Sequence, residues 1–393
     1  MKYKLVRSST IPDSLNGFLV GQLKFLNSYF DVVALSGLNE QLKEVGYREG
    51  VKIVDVEMAR KISIKKDIIS LIRLYKELKK EKPLIIHSMT PKAGLLSMLA
   101  GKMAGVPIRM HTFTGLIFPT RTGVMQKLLI KMDQLLCWSA TNIYPEGEGV
   151  KKDLLNFGIT KKTLKVIANG NVNGIDLEYY SITNFTSLEL KKLKKDLAID
   201  ANDFVFIFVG RLVRDKGINE LVSAFRNVNK LYGSSKLLLV GPYENELDPL
   251  EKDTIQEINS NKSIISVGFQ SDVRPYFAIS NVLAFASYRE GFPNVVMQAG
   301  AMGLPSIVTN ISGCNEIIIE GKNGTIIPTR SVSALEERML FFLKNVEFYN
   351  KMKDKSREMI ESRYQRELVW NALLEEYQLL VKNYEEVKNK KKF

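Results

Sequence analysis

Cysteine and histidine are nearly absent: the 393 residues hold Cys137, Cys314, His87 and His111 and no others of either type. Two cysteines far apart make no disulfide framework, which fits a reducing compartment. So few thiols and imidazoles cannot assemble a typical structural zinc site. No Asp-x-Asp occurs, which removes the commonest short carboxylate motif for holding a metal-bound nucleotide. Long apolar runs are missing too. No window approaches the roughly 20 uninterrupted apolar residues that span a bilayer, and the opening MKYKLVRSST is too polar for a signal peptide. An RNP-like aromatic pair and a basic region ahead of heptads are also lacking, so nucleic acid is not an expected partner. These absences leave a soluble or peripheral protein.

What is present is material for large cores. At 45% hydrophobic and 25% charged the chain is globular, and its length exceeds one ordinary core, so two or three domains are expected. The formal net charge is +13, and it is unevenly placed. Residues 1–180 carry 27 Lys and Arg against 16 Asp and Glu, whereas residues 181–393 carry 29 against 27. A solvated basic surface is the ordinary meaning of such a surplus. The functional meaning is attraction to an anionic membrane surface, which the first half is expected to meet.

The apolar pattern alternates between strand and helix. Runs at 3–7, 31–36, 51–56, 84–89, 106–112, 141–145 and 164–170 read as strands, with an amphipathic helix from Phe18 to Phe30 and further helices at 66–80 and after Pro91. The segment from Thr122 to Trp138 has a broad apolar surface that predicts a buried core helix. Arg121 and the neighbouring aromatics give it a second reading, as a membrane-surface helix. An Asn- and Gly-rich stretch at 169–180 reads as a connection. FVFIFVG (204–210) then starts a second alternation, with strands at 236–241, 263–269 and 281–287. Helices run from Leu335 to Asn389, and KNKKKF is a charged, frayed tail. Two such alternations predict two Rossmann-like α/β domains, each a doubly wound parallel sheet.

Within the second half, the apolar run Val282–Ala286 reads as a buried strand, SYREGFPN as its loop, Val295–Met302 as a helix and SIVT (306–309) as the next strand. Such a unit aims a loop and a helix N-terminus at the carboxyl edge of a parallel sheet, where ligands of open α/β folds bind.

GRLVRDKG (210–217), EGFP (290–293) and NEIIIEGKNG (315–324) occur in that order, with NGID at 173–176 and a glycine turn near the start. Over essentially the whole chain this set resembles the retaining GT-B glycosyltransferases of family 4. HTFTGL and REGFPNVVMQAGAMGLP resemble more narrowly the bacterial enzymes that extend lipid-linked glycans for capsule, exopolysaccharide or protein glycosylation. The resemblance implies a GT-B fold, with two Rossmann-like domains facing across a cleft and the C-terminal helix crossing back to the N-domain. It implies an acceptor-binding domain at 1–176, completed by a helix at about 368–389, and a nucleotide-sugar-binding domain at 177–367. The donor would be a nucleotide sugar, with no cofactor and no metal. The acceptor would be a glycan or polyprenyl-diphosphate-linked glycan, and the enzyme would be cytoplasmic, peripheral on the inner face of the inner membrane.

A nucleoside diphosphate gains negative charge as its bond to the sugar breaks, so catalysis needs cations or backbone dipoles preset at the β-phosphate. Arg211 and Lys216, in the loop that Gly210 opens, are the natural candidates and match the family's diphosphate-binding pair. On their own they would read as exposed loop charges, and Arg214 lies between them. Glu290 matches the family acid that meets donor-sugar hydroxyls. Gly291 and Phe292 lend backbone beside it, and Pro293, which has no N–H, only shapes the turn. Asn294 and Val295 open the helix toward the diphosphate. Gln298 stands where the family usually has a second Glu for the ribose. It keeps one acceptor, adds two donors and removes the charge.

His111 matches the family's donor-facing histidine, although a lone His in an apolar strand is ordinarily a core residue. His87 reads as core. Gly17 matches the N-terminal glycine turn, with Asn16 in place of the second glycine. Glu316 matches a position near the donor and equally a helix cap. The expected catalytic set is Glu290, His111, Lys216 and Arg211, and the expected reaction is a metal-independent, retaining transfer from a nucleotide-diphosphate sugar, with UDP as the first choice of carrier. Two rivals keep the same residues in view: a GT-B sugar-nucleotide epimerase, and a non-enzymatic basic membrane-binding protein. A dinucleotide dehydrogenase is disfavoured because no G-x-G-x-x-G follows the first strand.

Overall fold

Parallel strands dictate the architecture, because each pair needs a crossover helix and both faces of the sheet are then covered. The computed structural model describes residues 2–60, 62–244, 246 and 248–390. Contacts divide the chain into two units, Met1–Gly174 with Arg366–Phe393, and Ile175–Gln365.

In the first unit, β1 (Lys4–Ser8), α1 (Pro12–Phe18), α2 (Gln22–Asn27), β2 (Asp31–Ser36), α3 (Glu40–Glu49) and β3 (Lys52–Asp55) are followed by α4 (Ile64–Glu81), β4 (Ile85–Met89), α5 (Pro91–Ala104), β5 (Ile108–Phe113), α6 (Gly123–Ser139), β6 (Asn142–Pro145) and α7 (Glu148–Asn156). The strands form one parallel sheet in the order β3-β2-β1-β4-β5-β6. Alternation along the strands splits the core. Leu5, Val32 and Ile85 face Leu15, Leu23 and Leu42 of α1–α3. Val6, Val33 and Ile86 face Leu74, Leu96 and Leu136 of α4–α6.

Three expectations change here. The helix expected over Phe18–Phe30 is two short ones. Pro12 starts α1 with its fixed φ, and the chain breaks at Gly21, where φ is 79° and a Cβ would lie 2.8 Å from the Trp370 ring. The strand expected at 164–170 reduces to a single bridge between Leu164 and Ile143, because Ala168 adopts a φ of 50° that no strand tolerates. The third concerns α6, which is not a core helix. Only Leu136, Cys137 and Ser139 at its end are buried, whereas Val124 is 84% and Trp138 61% exposed. It packs chiefly against α5 rather than on the sheet, which leaves much of its apolar surface uncovered.

In the second unit, α8 (Ser187–Asp196), β7 (Phe204–Val209), α9 (Ile218–Leu231), β8 (Ser235–Val240), α10 (Lys252–Ser260), β9 (Ile264–Ser266) and α11 (Arg274–Ala278) precede β10 (Val282–Phe285), α12 (Asn294–Ala301), β11 (Ser306–Thr309), α13 (Cys314–Ile317), β12 (Gly324–Ile327), α14 (Val332–Lys344) and α15 (Val346–Tyr364). Its parallel sheet runs β12-β11-β10-β7-β8-β9. FVFIFV is apolar throughout because β7 is central, buried on both faces.

The chain then returns to the first unit as α16 (Arg366–Lys390). Trp370 packs on Phe25 with ring centres 5.4 Å apart, and Tyr144 donates to Glu376 at 2.8 Å. Tyr377 closes a buried network. Arg7 donates to its hydroxyl at 2.6 Å and to His87 Nδ1 at 3.1 Å. Because Nδ1 accepts there, the neutral ring carries its proton on Nε2, 2.7 Å from the Thr112 hydroxyl. Burial and the Arg7 charge hold the His87 pKa well below its ordinary value. α16 stays helical to Lys390, and the last three residues of the expected tail lie outside the described residues.

Candidate functional site

In a doubly wound sheet, loops at the carboxyl edge part where the strand order reverses, and a ligand can reach the backbone there. In the second unit that point lies between β7 and β10, which pair with each other while their sequence neighbours leave in opposite directions. The loop after β7 carries Gly210, Arg211 and Lys216, and the loop after β10 carries Glu290. The topology therefore joins two segments that lie far apart in sequence.

Lys216 Nζ and Glu290 Oε1 form an ion pair with side chains only 19% and 15% exposed. Ser287, fully buried, donates its hydroxyl to the same Oε1 at 2.8 Å. Glu290 Oε2 has no hydrogen-bond partner among the described residues, and Lys216 keeps further N–H donors for an anion. Around this pair the loops are tied together. Arg289 Nε reaches Asp215 at 2.8 Å, and the Tyr288 N–H donates to the Asp215 carbonyl at 2.9 Å. Arg211 pairs with Glu244, and Arg214 lies 3.4 Å from Asp248. Ser287, Asp215 and Arg289 are not among the site residues expected from the motifs, although all three sit inside or beside them. Their position within RDK and SYREG is the signal that was there to use.

The close approach is made possible by glycine. Gly217 has a φ of 69°, and a Cβ on it would meet the Ala286 carbonyl oxygen at 2.1 Å. Gly313, with a φ of 75°, likewise leaves only 2.4 Å to the Gly291 oxygen. No other residue type fits at these two places.

Pro293 is the N-cap of α12, and Asn294 its first residue. Phe292 is buried against Tyr364 with ring centres 5.5 Å apart, so its backbone alone borders the site. Val295 packs partly into the core. Gln298 is half-buried, and its side chain has no hydrogen-bond partner among the described residues. Glu316 accepts from the Gly313 N–H at 3.1 Å and so caps α13. Cys314 lies beneath, and burial pushes its thiol pKa up, helped by the Glu290 charge.

Two expected site residues lie elsewhere. His111 is buried in the first unit, in edge-to-face contact with Phe113 at 4.5 Å. A Cβ on Gly94 of α5 would come within 2.4 Å of its ring. Its Nδ1 lies 2.9 Å from the Ser88 hydroxyl, and Nε2 is buried without a partner. Burial lowers its pKa to about 3, so it is neutral. Alternation on β5 turns its side chain under α5 and α6, and the structure makes it a core residue. Gly17 is not in a turn. It lies inside α1 with open space around a would-be Cβ, and the left-handed glycine is Gly21.

Among the described residues no three His, Cys, Asp or Glu side chains converge to hold a metal ion, and no helix is long and apolar enough to cross a membrane.

Residues 190–359 match the family described as glycosyl transferases group 1, and residues 24–178 match glycosyltransferase family 4. The chain is 30% identical over 369 residues to the capsular polysaccharide biosynthesis glycosyltransferase CapM of Staphylococcus aureus, covering 93% of this chain and 94% of that protein. It is 31% identical to the UDP-Gal:alpha-D-GlcNAc-diphosphoundecaprenol alpha-1,3-galactosyltransferase of Escherichia coli, over 70% of each. The fold matches the crystal structure of Anabaena HepE in complex with UDP, with a TM-score of 0.79 at 16% identity, covering 96% of this chain and all of that one. Two parallel sheets of this kind are the Rossmann-like halves of the GT-B fold.

Proposed function

This chain belongs to the family 4 glycosyltransferases, and from that premise we propose that it is a retaining enzyme moving a sugar from a UDP-sugar to a hydroxyl of a polyprenyl-diphosphate-linked glycan. The observation that carries the reading is the meeting of Lys216 and Glu290 at the point where the second sheet reverses its strand order. Lys216, with donors to spare, neutralises the charge that develops on the leaving diphosphate. Arg211 does the same on turning from Glu244. Glu290 Oε2 accepts from the donor-sugar hydroxyls while Oε1 stays held by Lys216 and Ser287. Gln298 meets the ribose. The acceptor hydroxyl attacks the anomeric carbon on the face from which the diphosphate departs. The new C–O bond forms as the bond to the phosphate oxygen breaks, the leaving phosphate takes the hydroxyl proton, and the anomeric configuration is retained. The two cations supply the charge that a metal would otherwise bring, so the reaction is metal-independent.

UDP and the lipid-diphosphate acceptor are supported by the E. coli relative, and a capsule or related surface-polysaccharide pathway by the S. aureus one. The basic surplus of residues 1–180 supports a peripheral site on an anionic cytoplasmic membrane face. The test is to incubate the protein with UDP-hexoses and an undecaprenyl-diphosphate monosaccharide, with and without EDTA, and assign the product anomer by NMR. An α-linked product from an α-configured donor, undiminished by EDTA, is expected. An inverted product, abolition by EDTA, or epimerisation of the donor without acceptor would each overturn a stated part. Flotation with anionic liposomes at low salt tests the membrane contact.

A further inference from the structure

The first sheet reverses its strand order between β1 and β4, and a groove of about 710 Å³ opens at that carboxyl edge, within the roughly 300–1,000 Å³ of ligand pockets. Its walls are apolar: Ile11, Leu95, Phe113, Leu116, Leu129 and Met132 all line it. Three polar side chains along it, Thr10, Thr90 and Lys92, are already used. The hydroxyls of Thr10 and Thr90 lie 2.8 Å apart, Thr90 Oγ1 accepts from the Thr10 N–H at 3.1 Å, and Thr10 Oγ1 accepts from the Ala93 N–H at 3.1 Å. Lys92 is paired with Asp67 at 2.8 Å. A sugar would find few convergent partners there.

The mouth is different. Exposed Ile62, Ile117 and Met125 flank it together with Arg60 and Arg121. Neither guanidinium has an ion-pair partner among the described residues. An apolar interior behind two free cations complements a ligand with an apolar chain and an anionic head. We propose that this groove takes the first isoprenoid units of a prenyl diphosphate, the lipid part of the acceptor, with Arg60 and Arg121 on its phosphates. The proposal rests on the lipid-linked reading of the acceptor given above. It also accounts for α6, whose Met125, Leu129 and Met132 form one wall of the groove.

Asp133 is the discordant charge: its carboxyl lines the groove without a hydrogen-bond partner among the described residues. Burial pushes its pKa up to about 7, so much of it is protonated at neutral pH. Its removal tells an apolar occupant from a polar one.

Equilibrium binding of radiolabelled geranylgeranyl diphosphate to the full chain, with UDP present in excess, reads the groove without turnover. It is expected to bind at least about tenfold more tightly than inorganic diphosphate, the prenyl chain supplying the difference. Leu129→Gln should weaken the prenyl ligand about fivefold or more, and Met125→Gln, at a site 48% exposed where a polar side chain is tolerated, should do likewise. Arg121→Ala should weaken both ligands, and Asp133→Leu should tighten the prenylated one. Equal affinity for the two ligands, or indifference to both glutamine substitutions, overturns the proposal. Weakening by Asp133→Leu overturns it in favour of a polar occupant such as the acceptor sugar. Prenyl binding without any sugar transfer would fault the reaction and spare the groove. Transfer that ignores acceptor chain length would fault the groove and spare the reaction.

Discussion

At the carboxyl edge of the second sheet, Lys216, Arg211, Arg214 and Arg289 each already hold a carboxylate. At the same edge of the first sheet, Arg60 and Arg121 hold none among the described residues, and the wall behind them is apolar. The paired edge is close to neutral and preorganised. Its cations are kept in place by partners that a diphosphate can displace or share, and close glycine contacts fix the loops. The open edge is unpaired and roomy, suited to a ligand that brings its own apolar surface. One topology thus supplies the same position twice, and side chains alone make one edge electrostatic and the other hydrophobic.

The sharpest way to break this contrast is at Glu290. Glu290→Ala should lower kcat for sugar transfer about 10²–10³-fold, as loss of one preorganised polar group commonly does, while circular dichroism and thermal unfolding show the fold intact. Near-normal turnover would remove the loop from the site. Next in size is Gly217→Ala. A left-handed alanine costs roughly 1–2 kcal/mol, and the contact at 2.1 Å with Ala286 adds to that, so the second unit should melt earlier. Gly17→Ala, inside α1 with open space around it, should instead stabilise by roughly 0.5–1 kcal/mol. Destabilisation there would restore Gly17 to a special conformation.

The units should also differ in acid. Both histidines lie in the first unit, where burial lowers the pKa of each. An unfolded histidine takes up a proton near pH 6.5, but folded His111 does so only at about 3. Its contribution to stability is therefore whole above pH 6.5 and is lost as pH falls toward 3, by about 1.4 kcal/mol per pH unit at most. Asp133 runs the other way. Its folded pKa of about 7 makes its contribution grow as pH falls from 7 toward the unfolded carboxylate value. His111→Asn, which can still hydrogen-bond the Ser88 hydroxyl, should flatten the acid slope of the first unit in denaturant titrations. It should leave transfer within about tenfold at a temperature where the protein is folded, whereas a loss of 10² or more would indicate a proton-transfer role. The second unit, with no histidine, should lack the part of this slope that lies above the carboxylate range. Asp272, held low by Arg274, should give it an acid slope only below that. Smallest of all, Gln298→Glu should change the KM for donor by less than about tenfold, a shift under 1.4 kcal/mol, since the side chain has no partner to lose. A larger loss would mean that the amide donates where a carboxylate cannot.

Legibility followed the range of the forces involved. Apolar runs marked nearly every strand, because a strand buried on both faces of a parallel sheet is written locally as a continuous hydrophobic stretch. The motifs around Lys216 and Glu290 marked loops at strand ends for the same reason. His111 misled because its strand end was legible but its side of the sheet was not. That side is set by alternation counted from neighbours packed under α5 and α6. The α6 segment misled because an apolar helix looks the same over a core as over a groove, and only its packing partners distinguish the two. Ser287 was invisible because its role is to hold Oε1 of Glu290, a contact set by the bend of the loop.

The sequence by itself determined the alternating α/β class, the basic first half, the scarcity of metal ligands and the family motifs, since each depends on composition or short spacing. Tertiary structure alone decided which residues meet. The reversal of strand order brings Lys216 to Glu290, and packing of Trp370 and Tyr377 holds α16 in the first unit. The face of β5 on which it stands buries His111, and one face of α6 is left open. These outcomes depend on which distant segments pair and pack, a long-range property that no single stretch of chain encodes.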